Sequence, residues 1–459
     1  MIKQNSSNFK KLSITFLTLT ALFLNIYYLI LVGSQLKPWE DEIVSLSSNL
    51  SFINELNHNS FPYFPLFEKK NIDSFSPYNS IGPLSSIGSV LWLLVDSNNN
   101  LLFARIANIF YNLFLVFIIF KTCKVNLRIS NLIYLSFLTL LLIPWWYGAL
   151  YSLGTISGML IFTICALNFE NNYYLSIFFL GTLIFFSKFY LIIPIFSFLI
   201  FYFILNKTSI KKLFYGIILF SIPSVAWYLI IMYKEGVNYI YRYNNALLDL
   251  LLNQPGSGTK SALQIKSFSF FDTIINSEIY QWNSITKIRI LLVPLCFIFL
   301  MKFLKFKNIP EKIFLSIFFS IIISYFWFLI FSETKWIRYS QIFIIPILIL
   351  IILKVTEDTV YRSRNILFIF WLMLGLFMNN FLSLIFFIFL ISLNYAFNFK
   401  LNHLIFFLYL IFTVNLFLEI NNFSIIDINY YNLNYCEPTF NTEKCMSQYF
   451  NLKLPEFNF

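Results

Sequence analysis

The sequence predicts an all-α polytopic membrane protein of about 13 transmembrane helices, N-terminus inside and C-terminus outside, with juxtamembrane helices on the outer face. Three observations predict it. The 459 residues are 59% hydrophobic and only 12% charged, with a mean hydropathy of +0.74. Soluble domains are about 45–50% apolar and about 25% charged. The apolar residues also fall in long runs close to the roughly 20 residues that a helix needs to cross a bilayer. Finally, lysine and arginine are sorted between alternate connecting segments. The same composition excludes a soluble globular enzyme and a disordered chain. With 12 glycines and 14 prolines it excludes collagen-like and linker-rich architectures as well.

The spans read as 13–33, 101–120, 130–147, 150–167, 174–187, 189–205, 213–232, 288–303, 312–331, 341–354, 366–379, 381–398 and 403–419. Several are short for a full crossing. The first follows Lys10 and Lys11, but its apolar run from Leu12 to Val32 exceeds a usual signal-peptide core. No small-residue cleavage site follows it, so an uncleaved helix is expected.

Orientation comes from the loops, because basic residues resist translocation. Placing the N-terminus inside gathers 17 lysines and arginines into short inner segments, against four acids. These include Lys121, Lys124, Lys207, Lys211, Lys212, Lys312, Lys354 and Lys400. The outer side keeps 15 basic and 17 acidic residues. The net charge of +11 is therefore a topology signal and not a nucleic-acid patch. Residues 1–419 form the transmembrane domain, with outer loops 34–100 and 233–287, and 420–459 form a short extracytoplasmic tail. Within the first loop, Ile81–Val95 is apolar but interrupted by Gly82, Pro83 and Gly88, which suits a helix lying in the interface.

The carboxylates locate the chemistry. All 21 Asp and Glu residues fall in loops or at span ends. Coupled transporters usually carry an ionisable group near the bilayer midplane, so this pattern counts against one. The densest cluster is Glu40-Asp41-Glu42, directly after the first span and next to Trp39. A carboxylate there would lie beside lipid headgroups, where partial burial suits a general base; a solvated helix end is the plainer alternative. Lys188 interrupts a long apolar stretch, either as a tight outer reversal or as an anion contact, unless it snorkels to the headgroups. Lys335, Arg338 and Tyr339 form a short outer turn, and guanidinium forks match phosphate oxygens. Arg105 opens the second span on the same side. Three outer cation positions and one outer acidic cluster are what an anionic lipid substrate requires.

Two histidines and no CxxC pair leave no metal cluster to propose. Of five cysteines, Cys436 and Cys445 fall in the outer tail, where a disulfide is permitted, and Cys123, Cys165 and Cys296 suit small apolar roles.

In order along the chain, Trp39-Glu40-Asp41-Glu42, Pro77 to Leu84, Ala104-Arg105-Ile106-Ala107-Asn108, Ser187-Lys188-Phe189, and Arg338-Tyr339 followed by Ile345-Pro346 form a series. Over residues 13–350 it resembles the GT-C glycosyltransferases, in particular the bacterial branch of protein O-mannosyltransferases and the lipid A aminoarabinose transferase. The match has departures: a single Pro83 stands for a doubled proline, and Asn79 for a common histidine.

The resemblance implies an inverting glycosyltransferase of a bacterial inner or plasma membrane, working at the extracytoplasmic face. Its donor would be a sugar on polyprenyl phosphate and its acceptor a lipid, glycan or protein. Asp41 would be the base and Glu42 its positioning partner. Arg105, Lys188, Lys335, Arg338 and Tyr339 would hold the donor phosphate. Some relatives use a divalent ion; none is expected here, nor any other cofactor. The alternatives are a lipid-linked oligosaccharide flippase or transporter, a glycan polymerase or ligase of similar architecture, and a non-catalytic scaffold.

Overall fold

The computed structural model describes residues 40–56, 82–95, 101–125, 154–241, 308–330 and 337–357, with scattered positions in 16–30, 128–139, 244–245 and 293–306. The regular secondary structure of the described residues is helical, save for a single bridge residue at Lys188, with turns and bends between the helices. Of the expected spans, 366–379, 381–398 and 403–419 lie outside them. So do most of 13–33 and 130–147, Lys335, and the tail with Cys436 and Cys445.

Nine helices are described: α1 (Glu40–Glu55), α2 (Ile87–Val95), α3 (Leu101–Thr122), α4 (Thr155–Leu167), α5 (Tyr173–Phe186), α6 (Ile192–Asn206), α7 (Ile210–Glu235), α8 (Glu311–Ile330) and α9 (Gln341–Glu357). Single turns of 3-10 helix, Phe189–Leu191 and Ile337–Ser340, lead into α6 and α9. Among the described residues, four segments are long and apolar enough to cross a membrane: Leu102–Thr122, Phe189–Asn206, Ile210–Glu235 and Glu311–Ile330.

Local chemistry sets the helix limits. Gly154, at a φ of 74° that side chains disfavour, starts α4, so the expected span from residue 150 begins at Thr155. Lys207 closes α6 in the left-handed conformation, and the Ser209 hydroxyl accepts from the Lys212 backbone N–H to open α7. Three residues, Lys207 to Ser209, thus reverse the chain. The expected interfacial helix 81–95 is instead a turn over 83–86 followed by α2, and Gly82, Leu84, Ser85 and Ser86 are taken into other contacts described below.

α3, α4, α6 and α9 run from one end of the bundle to the other, and α5, α7 and α8 run the opposite way. At one end, the Tyr173 hydroxyl donates to the Lys212 backbone carbonyl at 3.0 Å, the Lys212 ammonium lies 4.2 Å from the Tyr173 ring centroid, and Phe169 packs on Tyr202. The chain order puts Lys121, Lys207, Lys211, Lys312 and Lys354 at this same lysine-rich end. At the other end lie the starts of α1, α3, α4, α6 and α9. Between them is one continuous apolar core. In it α8 packs against α6, with the Ser320 hydroxyl donating to the Pro194 carbonyl at 2.7 Å and Phe201 stacked on Phe319. α5 and α7 approach backbone to backbone: a Cβ on Gly181 would collide with the Phe220 carbonyl. Close approach of this kind is how small residues let membrane helices pack.

α5 and α7 are level at the lysine-rich end but not at the other. Phe186, the last residue of α5, meets Trp227 at a ring distance of 5.5 Å, and α7 continues eight residues further to Glu235. At 1.5 Å per residue the overhang is about 12 Å. It leaves a step, and Phe52 of α1 rests on it, 5.9 Å from Phe186 and 6.0 Å from Trp227.

Candidate functional site

The acidic tripeptide forms the first turn of α1, with carboxylates at the end where backbone N–H groups point outward and favour negative charge. Glu42 is fully buried and meets Arg105, three residues inside the described start of the second span. The contact is bidentate: Arg105 Nε donates to Glu42 Oε1 at 3.0 Å and Nη2 to Oε2 at 2.7 Å, with both side chains at 0% exposure. Sixty-three residues separate the partners. Removing one partner of such a pair typically costs about 3–5 kcal/mol, because the other charge stays buried. Arg105 was expected to face a donor phosphate; that contact would have to compete with Glu42.

One turn on, the Ser45 hydroxyl shares hydrogen bonds of 2.5 Å with both Ser85 and Ser86. Those serines belong to the turn before α2. The same turn is tied to the α5–α6 connection, where the Gly82 N–H donates to the Ser187 carbonyl and the Leu84 N–H to the Phe186 carbonyl. The fit leaves no space for side chains: a Cβ on Gly82 would strike the Phe186 backbone, and one on Gly154 the Ser85 carbonyl. Lys188 stands in this junction, 4% exposed, in extended backbone just before the Phe189–Leu191 turn. It stands at a tight reversal between α5 and α6. Beyond it the Tyr190 hydroxyl bonds that of Thr155, and its ring meets Tyr339 edge-on at 5.0 Å.

The structure therefore links Glu42, Arg105, Lys188 and Tyr339 through one continuous set of contacts at the end opposite the lysine-rich turns. Arg338 lies in the turn beside Tyr339, and Asp41 precedes Glu42 in α1; the side chains of both, and all of Lys335, lie outside the described residues. Among the described residues no three His, Cys, Asp or Glu side chains gather as a metal ion would need.

Sequence reasoning passed over the polar lining of this junction. Ser45, Ser48 and Asn49 on α1, Ser85, Ser86 and Ser89 around the start of α2, and Asn108 and Asn112 on α3 are all buried. The signal was present as spacing: Arg105, Asn108 and Asn112 recur at i, i+3 and i+7, so they line one face of a helix that is otherwise apolar. Comparison with protein-family models, with curated proteins and with solved structures returned no match. The class of protein that the fold defines is thus an α-helical protein with helices fit to cross a membrane.

Proposed function

We propose that the chain is an inverting glycosyltransferase of the GT-C type, with about 13 spans in a bacterial inner or plasma membrane. It moves a sugar from a polyprenyl-phosphate donor to a lipid, glycan or protein acceptor at the outer face. The observation that carries this reading is the gathering of sequence-distant motifs: the acidic turn of α1, Arg105, the Lys188 reversal and the Tyr339 turn meet at one end, away from the basic turns. That end is the extracytoplasmic one if basic loops stay inside.

In this reading Asp41 takes the proton of the acceptor hydroxyl. The hydroxyl oxygen attacks the anomeric carbon from the face opposite the phosphate, the bond to the phosphate oxygen breaks with inversion, and polyprenyl phosphate leaves as the anion. Cations fixed in a site that excludes water stabilise the charge developing on that leaving group, a role for Lys188 with Lys335, Arg338 and the Tyr339 hydroxyl. Glu42, held by Arg105, fixes the turn of α1 on which Asp41 sits.

The test is turnover of labelled polyprenyl-phosphate sugars by purified protein, with membrane extract as acceptor, following release of polyprenyl phosphate. Wild type is expected to release it and Asp41→Asn to be slower by a factor on the order of 10²–10⁴, the usual contribution of a general base. Equal release by both would remove Asp41 from the mechanism. Flipping in liposomes without release would favour the transporter instead.

A further inference from the structure

Asn49 presents a physical problem. It is fully buried on α1, and neither its Oδ1 nor its Nδ2 has a hydrogen-bond partner. On α3, the buried Asn112 likewise has an Oδ1 without a partner. Polar groups shut away without hydrogen bonds are costly, and a leucine of similar size would remove the cost at both positions. Asn49 lies seven residues after Glu42 and four after Ser45, so it shares the helix face that those two turn towards α3 and the start of α2. Asn112 lies seven residues after Arg105 on the corresponding face of α3. Two polar stripes thus face a common seam, and each ends in groups that the protein itself leaves unsatisfied.

The charge of the seam decides what could satisfy them. The described ionised groups on the seam's own helix faces, Glu42 and Arg105, neutralise one another in a bidentate pair, and Lys188 belongs to the α5–α6 connection tied to the serine turn. Everything else along it is hydroxyl or carboxamide: Ser45, Ser85, Ser86, Asn49, Asn108 and Asn112. A charged ligand would enter a low-dielectric seam with no counter-charge. A ligand that both donates and accepts hydrogen bonds, and carries no charge, meets no such penalty. We propose that the seam between α1 and the α2–α3 pair binds a neutral, hydroxyl-rich sugar ring, with the carboxamides of Asn49 and Asn112 as its contacts. Both carboxamides are shut off from solvent, so entry of the ring requires α1 to lift from the serine turn. That this ring is the donor's sugar rests on the function proposed above; the binding does not.

The experiment is saturation-transfer NMR on the protein in lipid nanodiscs. The probes are methyl glycosides of glucose, mannose and galactose, set against those of galacturonic acid and glucosamine. Wild type should give saturable signals from at least one neutral glycoside and none from the charged ones. Asn49→Leu and Asn112→Leu should weaken that binding by about tenfold or more, the effect of leaving sugar hydroxyls unpaired. Asn49→Leu should also unfold no earlier than wild type, since it removes an unsatisfied group. If Asn49→Leu fails to fold, Asn49→Gln moves the amide by one methylene and should weaken binding in the same assay. Unchanged binding in the variants, preference for a charged sugar, or no binding to wild type would each overturn the proposal. Asp41→Asn should bind as wild type does. In wild type, binding of a neutral glycoside without release of polyprenyl phosphate would count against the proposed reaction alone, and release without any such binding against the seam alone.

Discussion

In the first half of α3, Arg105, Asn108 and Asn112 are buried; in the second half, Val116, Ile119 and Phe120 are buried just as deeply. One helix therefore meets the same exclusion from water with opposite chemistry. The second half belongs to the main apolar core with Met159, Leu160 and Phe162 of α4. The first half faces the side chains carried by α1 and by the turn before α2, which bring a carboxylate and hydroxyls. Burial alone does not dictate apolarity. For Arg105 what decides is that a neighbour brings a partner, and Glu42 comes from 63 positions earlier in the chain; Asn112 keeps an Oδ1 without one.

The largest expected effect comes from breaking that match. Arg105→Leu should lower stability by about 3–5 kcal/mol, because Glu42 is left buried and ionised. Unfolding in a denaturing-detergent titration, followed by tryptophan fluorescence, would read it. The double variant Glu42→Leu/Arg105→Leu should recover most of the loss; no recovery would mean that the pair does more than neutralise itself. A smaller effect should follow from transplanting the chemistry of the first half into the second. Val116→Asn puts a carboxamide among apolar side chains and should cost about 1–3 kcal/mol for each group left without a partner. If it costs nothing, the contrast between the two halves is not set by partners. The smallest effect should be Ile119→Val, about 0.5–1.5 kcal/mol for one methylene lost from a filled site.

Much of the bundle was legible in the sequence. The expected spans 101–120, 174–187, 189–205, 312–331 and 341–354 coincide with helices to within three residues at each end, and 213–232 lies inside the longer Ile210–Glu235. Apolar runs bounded by lysines suffice for that, because a spanning helix is specified by local composition. α1 was not legible. Residues 40–55 mix acids, serines and leucines without a strong apolar face, and their helix is held by contacts to distant segments.

The candidate site was legible only as a set of residue types at one end. That Glu42 would pair with Arg105, and that Gly82 would bridge to Ser187, depends on long-range packing that no local pattern carries. The unpaired amide of Asn49 is a property of the folded seam alone.

The step between α5 and α7 bears on how a lipid-borne molecule would travel. The residues of α7 between Lys212 and Lys234 span 21 positions, about 32 Å, close to the thickness of a bilayer's hydrocarbon layer. Phe186 meets α7 at Trp227, seven residues short of Lys234. With Lys212 and Lys234 at the two hydrocarbon edges, the shelf under α1 would be sunk roughly 10 Å beneath the nearer one. Reaching a shelf at that depth requires no vertical extraction of an isoprenoid tail, which would cost about 0.8 kcal/mol for every methylene pulled into water. If the donor is the lipid-borne sugar proposed above, traffic to the shelf would run in two dimensions, along the plane of the leaflet, with its rate set by lateral diffusion and by the width of the gaps between helices.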